Sequence, residues 1–520
     1  MMGLSRVKYP IGIQDFEKLR SEGYLYVDKT EIIYRLVNNG LYIFLSRPRR
    51  FGKSLLLSTI KAYFEGKKDL FEGLAIETLE KEWKRYPVLM LGLSRTASTD
   101  PTSVQELLDQ HFTKWEEQYG ILEKRGNMAA RFADIIIKAH ETTGERVVVL
   151  VDEYDNALIN TIHDNDIHKR NQELLKSVYS NLKDLDAHIK FGMLTGVSRF
   201  SKLNIFSGLN HLQDITFDTP YSSICGITAQ ELKDNFEYGI QELSETRKWS
   251  TEETFKRLKD YYDGYHFTQN SPDIYNPFSL LNAFNKNKLG NYWFTTGVPS
   301  FLVERMKRGD IELERFMNQR VDETILNDID SARNSTVATL FQAGFLTIKQ
   351  FDEEWELYKL GIPNLEVRDG MSWLFSEYFL NTGRAEGQNT VINLIQAARE
   401  GEPEAFLMIL KGFLAGVPFD MSKGSKEVYF HNAFFIISSL LGLKTRSEYH
   451  TSDGSIDLLI ETGEYIYLFE FKMDSTAEKA MKQIEDKNYT LPFESDGRKI
   501  FKVGVNFSSE KRNIDSWLIF

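Results

Sequence analysis

The sequence predicts an α/β protein: a parallel sheet with a helical lid, followed by a smaller α/β domain near the end of the chain. Three observations carry this expectation. The apolar run "LYIFL" passes through the basic, glycine-containing "RPRRFGKS" into a helical pattern that stops near Gly66. Further along, "RVVVLVDEYDNAL" is an apolar strand pattern ending on Asp152 and Glu153. Close to the C-terminus, a hairpin signal at Asp453-Gly454 precedes "YIYLFEFKM", a strand pattern carrying Glu470 and Lys472.

The first element is a short buried strand of the kind found in parallel sheets, bounded by Gly40 and Pro48. After it, Leu55, Leu56, Thr59, Ile60 and Tyr63 recur at helical spacing. A loop between strand and helix is the setting of a phosphate-binding loop, where glycine backbone and the free N–H groups of the helix start face an anion. Gly52, Lys53 and Ser54 fit that signature, while Arg47 stands at the position of its first glycine. In this reading Lys53 reaches the β/γ-phosphates, Ser54 holds Mg2+, and Arg49 and Arg50 add charge beside Phe51. A lone Gly-Lys-Ser before a helix is more often a helix cap. Taken in order with the acidic strand end that follows, the elements favour a P-loop NTPase.

The second element supplies what the first lacks. Asp152 at a strand end would orient the magnesium shell, and Glu153 would polarise the attacking water. "HIKFGMLTGVSRF" reads as a further strand tipped by Thr195, Ser198 and Arg199, with Arg199 placed to neutralise transition-state charge.

With these residues in view, the chain resembles a bacterial family that joins an AAA-ATPase-like domain to a C-terminal PD-(D/E)XK nuclease domain. The resemblance rests on "YPIGIQDFEKLRSEGYLYVDKTEIIYRLV", "RPRRFGKSLLLST", "VDEYDNAL", "YDGYHF", "YNPFSLLNAF" and "NYWFTTGVPSFL", and covers nearly the whole chain. It implies that "RPRRFGKS" is the family's usual loop, so Arg47 does not count against a working site.

At 520 residues the chain exceeds one ordinary core. The expected division is 1–225 for the ATPase core, 226–302 for a helical lid opened by a Thr228 cap, 303–400 for a helical linker region and 401–520 for the nuclease-like domain. The aromatics of "YDGYHF" and "NYWF" read as core packing, with His266 packed or hydrogen-bonded within the lid. Within the linker region "GFLTIKQF" is strand-like.

In the last domain Asp457 falls on the second strand of the hairpin, and Glu470 and Lys472 share a face of the next. Two carboxylates with a lysine suit phosphodiester hydrolysis: Asp457 and Glu470 bind a divalent cation, and Lys472 positions water and steadies charge. The resemblance matches these three to its Asp, Glu-x-Lys pattern, although Ile456 replaces the proline. Glu427 on an upstream helix is a further candidate metal ligand, and His431 shares its face. Gln483 and Tyr489 match a pattern that follows the nuclease core in the family. Lys479, Lys482 and Lys487 read equally as backbone contacts or as a solvated face.

A net charge of −12 argues against a wholly basic nucleic-acid binder but permits a local basic cleft. The single cysteine, Cys225, excludes an intrachain disulfide and a cysteine-cluster zinc site. With no secretory h-region or membrane-length apolar run, a cytoplasmic protein without membrane contact is expected. The implied cofactors are ATP and Mg2+, and the implied partner is nucleic acid, with a homo-oligomer open. The expected function is an ATP-binding and ATP-hydrolysing protein coupled to a magnesium-dependent nuclease. The alternative is a nucleotide-gated switch that grips nucleic acid or protein without cutting. ATP versus GTP and DNA versus RNA stay open at this level.

Overall fold

The computed structural model describes residues 7–94, 100, 102–124, 126–161, 164–199, 212–294, 320–327, 335–371, 384–415, 444–451, 454–511 and 513–520. They form two compact units, Met1–Trp293 with Arg320–Leu365, and Phe294–Gln319 with Glu366–Phe520. The stretch expected as one linker at 303–400 is therefore divided between them. Its strand-like piece pairs within the first unit.

The first unit is built on five strands: β1 (Tyr42–Ser46), β2 (Val88–Gly92), β3 (Val147–Asp152), β4 (Ile189–Gly196) and β5 (Gln213–Asp214). Their order is β2-β3-β4-β1-β5, and every pairing is parallel. β1 and β3 are buried along their full length, as continuous apolar runs require when both sheet faces are covered. Helices Ser103–Tyr119, Met128–Thr143 and Asn165–Asp184 bury Phe112, Phe132, Ile136, Leu175 and Val178 in the sheet's main core. Because the strands are parallel, the ends of β1, β3 and β4 emerge on one edge, where such sheets hold ligands.

Short strands β6 (Ile227–Thr228) and β7 (Ile274–Tyr275) pair antiparallel. Helices Ala229–Asn235, Glu237–Arg247, Thr251–Tyr262 and Pro277–Lys286 pack around Leu232, Leu243, Leu258 and Phe284. Thr228 caps the first of them in a reciprocal capping box with Glu231. β8 (Arg320–Val321), β9 (Thr347–Asp352) and β10 (Leu357–Gly361) form a small antiparallel sheet in the same unit.

The second unit holds a five-stranded sheet in chain order: β11 (Lys444–His450), β12 (Ser455–Glu461), β13 (Tyr465–Met473), β14 (Lys499–Ser508) and β15 (Asn513–Ile519). Only β13 and β14 run parallel, and helix Ala477–Asp486 makes that crossover. One face packs Leu394, Phe406, Leu407 and Leu410 from two helices, and the other packs Met481 and Ile484 of the crossover helix. Among the described residues no helix is long and apolar enough to cross a membrane.

Candidate active sites

β1 delivers the chain into the basic loop at its carboxyl end. Two backbone positions there need the left-handed region: Arg50 has φ +67°, and Gly52, the N-cap of helix Lys53–Phe64, has φ +99°. Glycine enters that region freely, which is why the helix can begin so abruptly. Lys53 is buried, and its Nζ donates to the carbonyls of Arg47 and Pro48 at 2.8 and 3.0 Å. The loop thus wraps its own lysine. Burial lowers the Lys53 pKa, and Asp152, Asp155 and Glu153 act in the opposite direction.

Arg47 does not face an anion site. Its guanidinium is buried, donates to the carbonyls of Ser46 and Thr216 at 2.9 and 3.0 Å, and lies 4.2 Å from the centre of the Phe267 ring. Burial pulls its pKa down to about 10. Phe51 packs edge-on against Tyr265 and Phe267, and Trp293 donates its indole N–H to the Arg49 carbonyl at 2.9 Å. The aromatics of "YDGYHF" and "NYWF" therefore buttress the loop from behind. His266 donates its backbone N–H to Thr347 and pairs with Asp273 at 3.2 Å. Arg49 and Arg50 have exposed side chains, and Arg50 lies over the Phe278 ring. Ser54 follows Lys53 in the first helical turn and is half-buried.

The acidic pair arrives on β3. Asp152 is buried at the strand end, and its Oδ1 accepts the Thr195 hydroxyl at 2.8 Å. Thr195, expected as part of the polar tip of this strand, orients Asp152. Glu153 takes φ +54°. Burial first, and then the neighbouring Asp152, raise its pKa, while Lys53, Arg49 and Arg50 oppose the rise. Arg199 has its guanidinium engaged by Asp214 and Asn327 and stacked 4.8 Å from the Phe217 ring. Asp155, which sequence reading passed over inside "VDEYDNAL", accepts the backbone N–H groups of Val197 and Ser198. Burial pushes its pKa up to about 6, against those hydrogen bonds and Lys53.

In the second unit β12 and β13 run antiparallel with Leu458 opposite Phe469. This register brings Asp457 beside Glu470, and Asp457 Oδ2 accepts the Phe471 N–H at 2.7 Å. Lys472 Nζ lies 2.8 Å from Glu470 Oε1. Glu470 is only 1% exposed, and its Oε2 is buried without a hydrogen-bond partner. Burial and then Asp457 raise its pKa to about 7, with Lys472 and Gln483 acting the other way. A buried carboxylate oxygen beside a second carboxylate fits a hard divalent cation. Gln483 on the crossover helix donates to the Tyr489 hydroxyl at 3.3 Å, which itself donates to the Ser455 carbonyl at 2.7 Å, tying that helix to the start of β12. Glu427 and His431 lie outside the described residues. Among the described residues, no group of three His, Cys, Asp or Glu is placed to hold a metal.

Comparison with known proteins gives two family matches. Residues 10–206 match the family described as "Predicted AAA-ATPase", and residues 425–517 match the PD-(D/E)XK nuclease superfamily. A protein of Azotobacter chroococcum mcd 1, described as an uncharacterized protein in the vnfD 5' region, is 35% identical over 531 residues and covers 99% of both chains. The chain belongs to the AAA-ATPase-like family that carries a C-terminal PD-(D/E)XK domain. In this member the AAA-ATPase-like unit also has an apolar hollow of about 100 Å³ directly beside the loop. Phe51, Gly52 and Leu55 form its loop side, Tyr26 and Val27 another, and Cys225 and Lys29 lie at its wall. Lys29 is buried there in a two-oxygen ion pair with Glu231, at 2.6 and 2.7 Å.

Proposed function

We propose that the AAA-ATPase-like unit binds and hydrolyses ATP with Mg2+, and that this operates a magnesium-dependent nuclease in the second unit. The observation that carries the first half is Lys53. A buried ammonium that donates to its own loop carbonyls, in the field of Asp152 and Glu153, is poised to exchange those carbonyls for phosphate oxygens. Arg49 and Arg50 add positive charge, and the apolar hollow beside Gly52 takes the base. Ser54 and Asp152 hold the cation, with Asp152 aimed by Thr195. Glu153, kept more basic than a free carboxylate, orients the attacking water and takes up its proton. When bound, the cation neutralises charge on the phosphates. Arg47 serves as the loop's internal brace.

In the second unit Asp457 and Glu470 supply the oxygen ligands, and Lys472 holds water and steadies charge on the scissile phosphate. Nucleic acid, DNA or RNA, is the proposed substrate, in a cytoplasmic setting. The test is labelled DNA and RNA incubated with Mg2+ or Mn2+, comparing wild type with Glu470→Ala. Metal-dependent cleavage lost in the variant is expected. Tight binding without cleavage would favour the switch that grips its target.

A further inference from the structure

The end of β4 is fastened to the turn that follows the acidic pair. The Thr195 carbonyl accepts the Tyr154 N–H at 3.0 Å, and the Ser198 carbonyl accepts the Tyr154 hydroxyl at 2.8 Å. The N–H groups of Val197 and Ser198 converge on one oxygen, Asp155 Oδ2, at 2.9 and 2.5 Å. Asp155 and Tyr154 are both buried. The clamp closes only because residue 196 is glycine: a Cβ there would lie 2.6 Å from the Tyr154 ring and 2.7 Å from Asp155 Oδ1.

Glu153 sits between two fixed points, Asp152 at the end of β3 and this clamp. Its φ of +54° is a conformation that a residue with a Cβ leaves unless its surroundings hold it there. We propose that Asp155 is a positioning residue for hydrolysis: by locking the turn to the β4 tip it holds Glu153 in the left-handed conformation from which it addresses the water. Asp155 touches neither nucleotide nor water in this role. The proposal rests on the hydrolysis reading above and names the part of the chain that sets its efficiency.

The experiment compares Asp155→Ala and Asp155→Asn, alone and in a Glu153→Gln background, with ATP turnover and the affinity for a fluorescent ATP analogue as readouts. Asp155→Ala should lower kcat roughly tenfold to a hundredfold while leaving nucleotide affinity within about threefold. Asp155→Asn, whose amide oxygen still accepts the two N–H groups, should recover part of the loss. In the Glu153→Gln background Asp155→Ala should add little further loss, because both act through one group. Unchanged turnover in Asp155→Ala overturns the proposal, as does a loss that multiplies independently with Glu153→Gln. Should Asp155→Ala not fold, Tyr154→Phe, which releases the Ser198 carbonyl, should show the same kcat-selective loss in smaller degree, and normal turnover there overturns it. If wild type neither binds nor hydrolyses ATP, the hydrolysis reading falls and this assignment with it. An active wild type with an inactive Lys53→Ala and normal Asp155 variants overturns the assignment alone.

Discussion

Glu470 gives the PD-(D/E)XK unit a pH dependence that can be worked through. Burial beside Asp457 lifts its pKa from 4.5 to about 7, so in the metal-free protein a proton competes with a cation for the same oxygens. The apparent metal affinity then falls by a factor of 1 + 10^(pKa − pH): about 1.1 at pH 8, about 2 at pH 7 and about 11 at pH 6. Mn2+ should bind about tenfold more weakly at pH 6 than at pH 8, whereas an ordinary carboxylate would leave affinity nearly flat over that range. Lys472 opposes the rise, so Lys472→Met should move the midpoint to higher pH. Titration calorimetry with Mn2+ at pH 6, 7 and 8 in several buffers reads both affinity and proton release. Equal affinity at pH 6 and 8, or a pH dependence that survives Glu470→Gln, would refute the reasoning. The sign for stability follows from the same shift. The folded-state pKa lies above the unfolded one, so without metal the Glu470 contribution to stability falls as pH rises from about 4.5 through about 7.

Three further outcomes are expected. Arg47→Gly restores the glycine of the general loop signature but removes the brace. Losing charged hydrogen bonds to two carbonyls, offset in part by no longer burying a guanidinium, should lower stability by about 2–4 kcal/mol in thermal unfolding, and a melting temperature equal to wild type would contradict the brace. Cys225 is the chain's single cysteine and lines the hollow beside the loop, so its slow modification by a maleimide should slow further, about tenfold, at saturating ATP. An unchanged rate by mass spectrometry would remove the base from that hollow. Glu231→Gln should cost about 2–3 kcal/mol by leaving Lys29 buried with a weaker partner, and a Lys29→Met partner change should recover part of it, as a double-mutant cycle would read.

Much of the architecture was legible because its signals are local. A strand, a loop and a helix that follow one another need only periodicity and a glycine, and β1 through helix Lys53–Phe64 follow that reading. Asp152 at a strand end follows from a continuous apolar run, and the Glu470, Lys472 pair on one face from period two. What was not legible depends on groups far apart in sequence. Arg47 was legible only as the residue at the first-glycine position, and its bracing role was not, because its partners, Thr216 and Phe267, are far along the chain. Thr195 and Arg199 looked free at a strand tip, yet each is engaged, by Asp152 and by Asp214 with Asn327. Asp155 carries no local sequence signal of its own, since its value lies in two N–H groups at the tip of another strand. The stretch 303–400 gave no sign of division, because which unit a segment joins is decided by its packing partners.

The central claim is that "RPRRFGKS" holds the phosphates of ATP through Lys53. Its most direct test is equilibrium binding of ATP with Mg2+ to wild type and to Lys53→Ala, using the full chain and circular dichroism to show that both are folded. The account predicts saturable binding by wild type and a loss of at least about tenfold in affinity for the variant, with ATP turnover falling alongside it. A folded Lys53→Ala that binds ATP as tightly as wild type would contradict it.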